Sequence, residues 1–190
     1  MTREDGGGIM TAMTAMPHDY DWTVDDLDRL PDDGLQYELL DGLLLVTPAP
    51  IFGHQRVAAR LFKVLDAACP ADHEVLFAPL DWRPDNRTSL QPDLLVIRED
   101  QVEYKNITTP LQLAVEVLSP STRRKDLVLK RSKYEDAGVL SYWVVDPVAP
   151  SIVGWDLVDG RYVDAGAATG GETVELHRPF PVQVTPSTLI

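Results

Sequence analysis

Residues 111–147 read LQLAVEVLSPSTRRKDLVLKRSKYEDAGVLSYWVVDP, and this stretch decides the fold. Residues 111–118 are an apolar-rich run of strand length carrying one charge, Glu116. Residues 125–137 form a helical stretch closed by Gly138 at a C-cap position, and residues 140–145 return as a strand that Asp146-Pro147 stops. The unit is therefore strand, helix, strand.

Upstream, residues 93–98 and 74–82 are further apolar runs of strand length bounded by Pro or polar clusters, and they join the same central sheet. Between residues 54 and 69 the apolar side chains Val57, Ala58, Leu61, Val64, Leu65 and Ala68 recur at steps of three and four, giving an amphipathic helix that Pro70 stops. Tyr37-Glu38-Leu39-Leu40 and Leu43-Leu44-Leu45-Val46 flank Asp41-Gly42, a pair that tolerates the positive φ of a tight hairpin turn. Thr23 followed by Asp26 caps a short helix that Pro31 ends. Downstream, residues 152–157 and 161–163 flank Asp159-Gly160 as a second hairpin, and the Pro-punctuated tail supplies an edge strand. The expected class is α/β, in the sense of an α+β mixed sheet: a mixed central sheet flanked by helices, with an N-terminal hairpin. One domain spans 17–190 behind a flexible leader, residues 1–16.

With 190 residues and 44% hydrophobic side chains the chain buries one sizeable core. A net charge of -13 repels polyanions and excludes a histone-like nucleic-acid coat. The sign reverses locally in residues 121–133, where Arg123, Arg124, Lys125, Lys130, Arg131 and Lys133 face only Asp126. That segment is either a solvated helix face or a cationic patch able to guide a phosphate backbone. Cys69 stands alone, which excludes an internal disulfide and a multi-cysteine zinc site and suits the reducing cytoplasm. No apolar run approaches the roughly 18–20 residues of a membrane-spanning helix, and the acids and glycines of the opening residues have the wrong order for a secretory signal.

The chain has no Gly-rich phosphate loop, no Gly-x-Ser-x-Gly elbow and no Cys-x-x-Cys pair, so carboxylate chemistry remains. Gln91-Pro92-Asp93 opens one strand, and Glu116 sits inside another where a charge is costly unless something pairs with it or binds it. If the two strands are neighbours, Asp93 and Glu116 converge on one hard divalent cation, Mg2+ or Mn2+. Each residue also has an ordinary reading. Asp93 can cap a strand entrance, Glu116 can form a structural ion pair with Lys130, His54 can cap or pack its helix, and Tyr142, Trp143 and Trp155 can be core aromatics. Alternation alone leaves Glu38 free to face outward.

YELLDGLLLV, the helix opening at His54, APLDWR, QPDLLVI and AVEVLSPSTRRKDLVLKRSKYEDAGVLSYWVVDP, in that order across residues 22–157, resemble the Uma2 or DUF820 family of restriction endonuclease-like proteins, which has the PD-(D/E)xK nuclease fold. By that resemblance Pro92 and Asp93 are the "PD", Glu116 is the "(D/E)", and Glu38 is an additional acid. The motif lysine, due two residues after the second acid, is replaced here by Leu118. Similar members carry a lysine on the following helix one turn before a tyrosine, which points to Lys130 ahead of Tyr134, with Lys133 as the alternative. The resemblance implies a metal-dependent nuclease acting on DNA, with Asp93, Glu116, Glu38 and Lys130 catalytic; Arg123, Arg124, Lys125 and Lys133 of the basic segment, with Tyr134 and His54, are the candidates for contact with the substrate. Cleavage of both strands would suit a homodimer. The rival expectation is a nuclease-fold protein that binds without cutting.

Overall fold

The computed structural model describes residues 14–15, 21–47, 49–101, 105–119 and 125–190, with backbone alone for 14, 15 and 125–127. The expected leader lies outside this set apart from Thr14 and Ala15, and so do Arg123 and Arg124.

Two sheets carry the fold. The first has the order β1 (Thr14–Ala15), β3 (Leu43–Thr47), β2 (Gln36–Leu40), β6 (Thr88–Leu90), β5 (Trp82–Asp85). The second has the order β11 (Arg161–Thr169), β10 (Ser151–Val158), β9 (Ser141–Asp146), β8 (Leu113–Val117), β7 (Leu94–Arg98), β4 (His73–Phe77). It is a mixed sheet, because β8 and β9 run parallel while every other pair is antiparallel. Parallel neighbours need a crossover, and here the helical segment between them provides it. Lys125–Lys130 form a π-helical turn that continues into α3 (Arg131–Asp136), so the expected single α-helix over 125–137 is wider in its first half.

Strands β8 and β9 are buried along their whole length because layers cover both faces of the second sheet. On one face Leu94, Leu113, Val115 and Trp143 meet Val57, Leu61 and Leu65 of α2 (Phe52–Ala68) and Val182 and Val184 of a separate hairpin, β12 (Val174–Leu176) with β13 (Val182–Val184). On the other face Leu95, Ala114, Tyr142 and Val144 meet Leu40, Leu45 and Leu90 of the first sheet and Tyr134 of α3. The outer side of the first sheet is closed by α1 (Val24–Leu27), whose Thr23–Asp26 capping box forms as its spacing predicts.

Both Asp-Gly turns adopt positive φ at the two central positions, 50° and 84° at Asp41-Gly42 and 51° and 78° at Asp159-Gly160, the geometry that matches strand twist. Two expectations change. The run 74–82 splits at Pro79, so β4 stays in the second sheet while Trp82 starts β5 in the first. The tail forms the β12–β13 pair instead of an edge strand, since Leu176, Phe180 and Val182 have an apolar face to cover. Among the described residues no helix is long and apolar enough to cross a membrane.

A candidate active site between the two sheets

Strand alternation aims the two glutamates at each other's layer. In β8, Leu113, Val115 and Val117 point toward α2, so Ala114 and Glu116 point to the opposite layer. In β2, Tyr37 and Leu39 pack toward α1, which turns Glu38 inward with Leu40. Glu38 stands opposite Leu45 in the hairpin register and is buried, although alternation alone left its direction open.

The helix after β8 brings a cation between them. Lys130 Nζ donates to Glu38 Oε1 at 2.9 Å and to Glu116 Oε1 at 3.1 Å. All three side chains are almost fully enclosed, with relative exposures of 6% for Lys130, 8% for Glu38 and 5% for Glu116. Tyr134, one turn beyond Lys130, donates its hydroxyl to Glu116 Oε1 at 2.9 Å. Burial pushes the Tyr134 phenol well above its usual value, and the nearby Glu116 and Glu38 charges push it further, so it remains a neutral donor. The opening of α3 at Lys130 puts Lys130 and Tyr134 on one side of the helix, as an i, i+4 pair requires.

Asp93 lies at the mouth of β7. Its Oδ2 accepts the Val117 N–H at 2.7 Å and lies 3.1 Å from His54 Nε2. His54 is in the first turn of α2, and the helix start sets it beside the aspartate. A contributor that the sequence reading does not single out is Gln91. Its backbone N–H donates to Glu38 Oε1 at 2.8 Å, and its side-chain amide donates to Asp81. The signal was Pro92, which restricts the preceding residue to extended backbone and so fixes where that N–H can point.

Lys133 lies elsewhere: its ammonium bonds Asp41 Oδ1 at 2.6 Å and Asp85 Oδ2 at 2.8 Å. Burial lowers its pKa, but the two carboxylates outweigh burial and the net shift is upward. Arg123 and Arg124 fall outside the described residues, as does the Lys125 side chain. Tyr142 and Trp143 are core residues with no exposure.

Among the described residues no three His, Cys, Asp or Glu side chains form a group that could hold a metal ion as they stand. Mg2+ needs less than that, since it is commonly held by one or two carboxylates with waters and substrate oxygens completing the shell. Here Glu38 and Glu116 already converge on one cationic point. Among the described residues, both bonds to Glu38 run to Oε1 and both contacts of Asp93 run to Oδ2. The donors are all oxygen and fit a hard divalent cation in kind.

The family model Uma2, described as "Putative restriction endonuclease", matches residues 24–189. The crystal structure of "a putative nuclease belonging to DUF820" from Anabaena variabilis ATCC 29413 is similar with a TM-score of 0.68, covering 88% of this chain and 97% of that one. The identity of 16% makes this a likeness of fold. No curated protein matches the chain.

Proposed function

The chain belongs to the Uma2 family of restriction endonuclease-like proteins, and from that premise we propose that it is a metal-dependent endonuclease hydrolysing phosphodiester bonds in DNA. The observation that supports this reading is the buried cluster in which Lys130 gathers Glu38 from one sheet and Glu116 from the other. Acids this deeply enclosed cost stability unless paired, and they lie one strand from Asp93, whose carboxylate reaches the Val117 amide.

Asp93 and Glu116, with Glu38 as a further acid, would hold one Mg2+ or Mn2+. When bound, such an ion supplies Lewis-acid polarisation of the phosphate and a lowered pKa for water. The chain's own groups set the stage. Tyr134 fixes the Glu116 rotamer and donates a proton to it in hydrogen bonding at every working pH. The Gln91 N–H fixes Glu38. Lys130 is a positioned cation in a dry layer, where stabilisation of developing phosphate charge is stronger than in water. A net charge of -13 makes DNA binding depend on local contacts and therefore on salt.

A plasmid cleavage assay with Mg2+, Mn2+ or EDTA tests the proposal. Cleavage is expected with either cation and not with EDTA, and Asp93→Ala or Glu116→Gln should lower the rate by about 10²–10³-fold, the loss typical of one preorganised group. Cleavage that persists in EDTA or in Asp93→Ala overturns it. A second reading, a nuclease-fold protein that binds without cutting, draws on Lys130 pairing with both glutamates. Folded wild-type protein that retains DNA but leaves it intact with both cations would select that reading.

A further inference from the structure

A cleft of about 260 Å³ opens next to Asp93 and His54. It runs between α2 and the end of the edge strand β4. Asp93 and His54 form its polar end, Phe62 and Phe77 line it, and Gln55 and Lys63 stand along the helix that borders it. The two phenylalanine rings meet edge to face, with centroids 5.4 Å apart at 88°. Phe77 is 60% exposed although it ends a strand of the central sheet. An aromatic ring left in water is a cost that a stacking partner removes.

The arrangement of chemistry along this cleft narrows the occupant. Whatever enters lies against Asp93, which the proposed reaction places beside the scissile phosphate. Next come flat apolar walls, then a cation, Lys63, in an acidic chain. A phosphate with its own nucleobase one sugar away has that order. The volume lies below the roughly 300–1,000 Å³ of sites for drug-sized ligands and is on the scale of one or two ring systems.

We propose that this cleft takes one unstacked base of the nucleic-acid substrate, packed against Phe77 and Phe62, while the phosphate beside it lies at Asp93. The proposal rests on the nuclease reading and deepens it: the preferred substrate is single-stranded DNA, or duplex with a base turned out of the stack, because a paired base cannot enter. Gln55 is placed to meet the base edge and Lys63 a neighbouring phosphate.

The test is binding of a short fluorescein-labelled single-stranded deoxyoligonucleotide, with Ca2+ in place of Mg2+ and the strand checked by gel to be uncut, compared with the same strand bearing one abasic residue at each position in turn. Phe77→Ala is suitable because an exposed ring can be removed without opening the core, and Phe77→Trp is its conservative partner. Base stacking on an aromatic is worth roughly 1–3 kcal/mol, so Phe77→Ala should weaken the intact strand roughly 5- to 150-fold. It should leave unchanged the strand whose abasic residue falls at the cleft, and Phe77→Trp should restore binding. Equal weakening of intact and abasic strands, or no weakening, overturns the subsite. If plasmid cleavage with Mg2+ survives that result, the nuclease reading stands without the subsite. If the wild type neither binds the strand nor cleaves plasmid, both fall. Loss of self-association in Phe77→Ala by light scattering, with strand binding unaltered, assigns the cleft to a second copy of the chain and also overturns the proposal.

Discussion

Replacing Lys130 with Met nearly keeps the length and volume of the side chain and removes the charge with its hydrogen bonds to Glu38 and Glu116. The ammonium it removes is shared by two carboxylates whose side chains are 8% and 5% exposed. Breaking a buried ion pair from one side costs about 3–5 kcal/mol, mostly because the partner is left charged and desolvated. In a chain of this size each kcal/mol moves the unfolding midpoint by roughly 2–4 °C, so Lys130→Met should unfold about 6–20 °C below wild type. Thermal unfolding followed by circular dichroism at neutral pH gives the value. Glu116→Gln in the Lys130→Met background takes away one stranded charge and should return about 0.5–3 kcal/mol, the coupling typical of groups in one network. Added salt should change little, because enclosed charges are weakly screened. A midpoint within about 3 °C of wild type, or no recovery in the double variant, would refute the view that Lys130 compensates the two acids.

Lys130→Ala should slow a verified cleavage reaction by about 10²–10³-fold, whereas Lys133→Ala, whose ammonium is engaged by Asp41 and Asp85, should act mainly on stability; equal rates for Lys130→Ala and wild type would sink the catalytic role. Burial would raise the Asp85 pKa, but Lys133 and the Arg87 N–H outweigh it, and Asp28 is held low chiefly by Arg83. Both folded pKa values therefore lie below 3.8, so their stabilisation is complete above the unfolded value and lost as pH falls through the folded one. The urea midpoint should stay level from pH 7 to 5 and drop below about pH 4, and an unchanged midpoint at pH 3 would contradict this. Gly42→Ala should cost more than Gly160→Ala, although φ is 84° and 78°, by up to about 1 kcal/mol, because the new methyl at residue 42 pushes aside the exposed Asp21–Arg87 ion pair while residue 160 faces open space. The Gly160 change should cost about 1–2 kcal/mol of backbone strain, and equal urea midpoints for the two variants would count against the steric argument. Static light scattering at micromolar concentration should give the mass of a dimer if the protein cuts both strands with one site per copy.

Features set by a few adjacent residues were legible from sequence. An Asp-Gly pair between two apolar strand-like runs tolerates the positive φ of a tight turn, so the hairpins at Asp41-Gly42 and Asp159-Gly160 follow from the chain alone, as does the Thr23–Asp26 cap. Glu116 was conspicuous because a lone charge in an apolar strand requires a partner. Other features depend on which layer covers a strand. Period-2 alternation marks two faces of β2 without ranking them, and only the α1 layer settles that Leu39 goes one way and Glu38 the other. Residues 74–82 read as one strand because both sheets want the same residue types; the chain changes sheet at Pro79. Thr88–Leu90 is too short to leave a periodic trace. The contact of His54 with Asp93 joins residues far apart in sequence, and no spacing rule reaches it.

The Glu38–Lys130 bond spans 92 positions of chain. At about 5–20 residues per second of synthesis, Lys130 is added roughly 5–18 s after Glu38. Through that interval the nascent hairpin carries an acid on its inner face with no counter-charge, and burying it would be penalised. The penalty for enclosing Glu38 is offset once the helix that follows β8 has been made. The cluster ties an early hairpin to a later helix, while the core still waits for β9 to β13, whose Trp143, Leu176 and Val182 follow Lys130 in the chain.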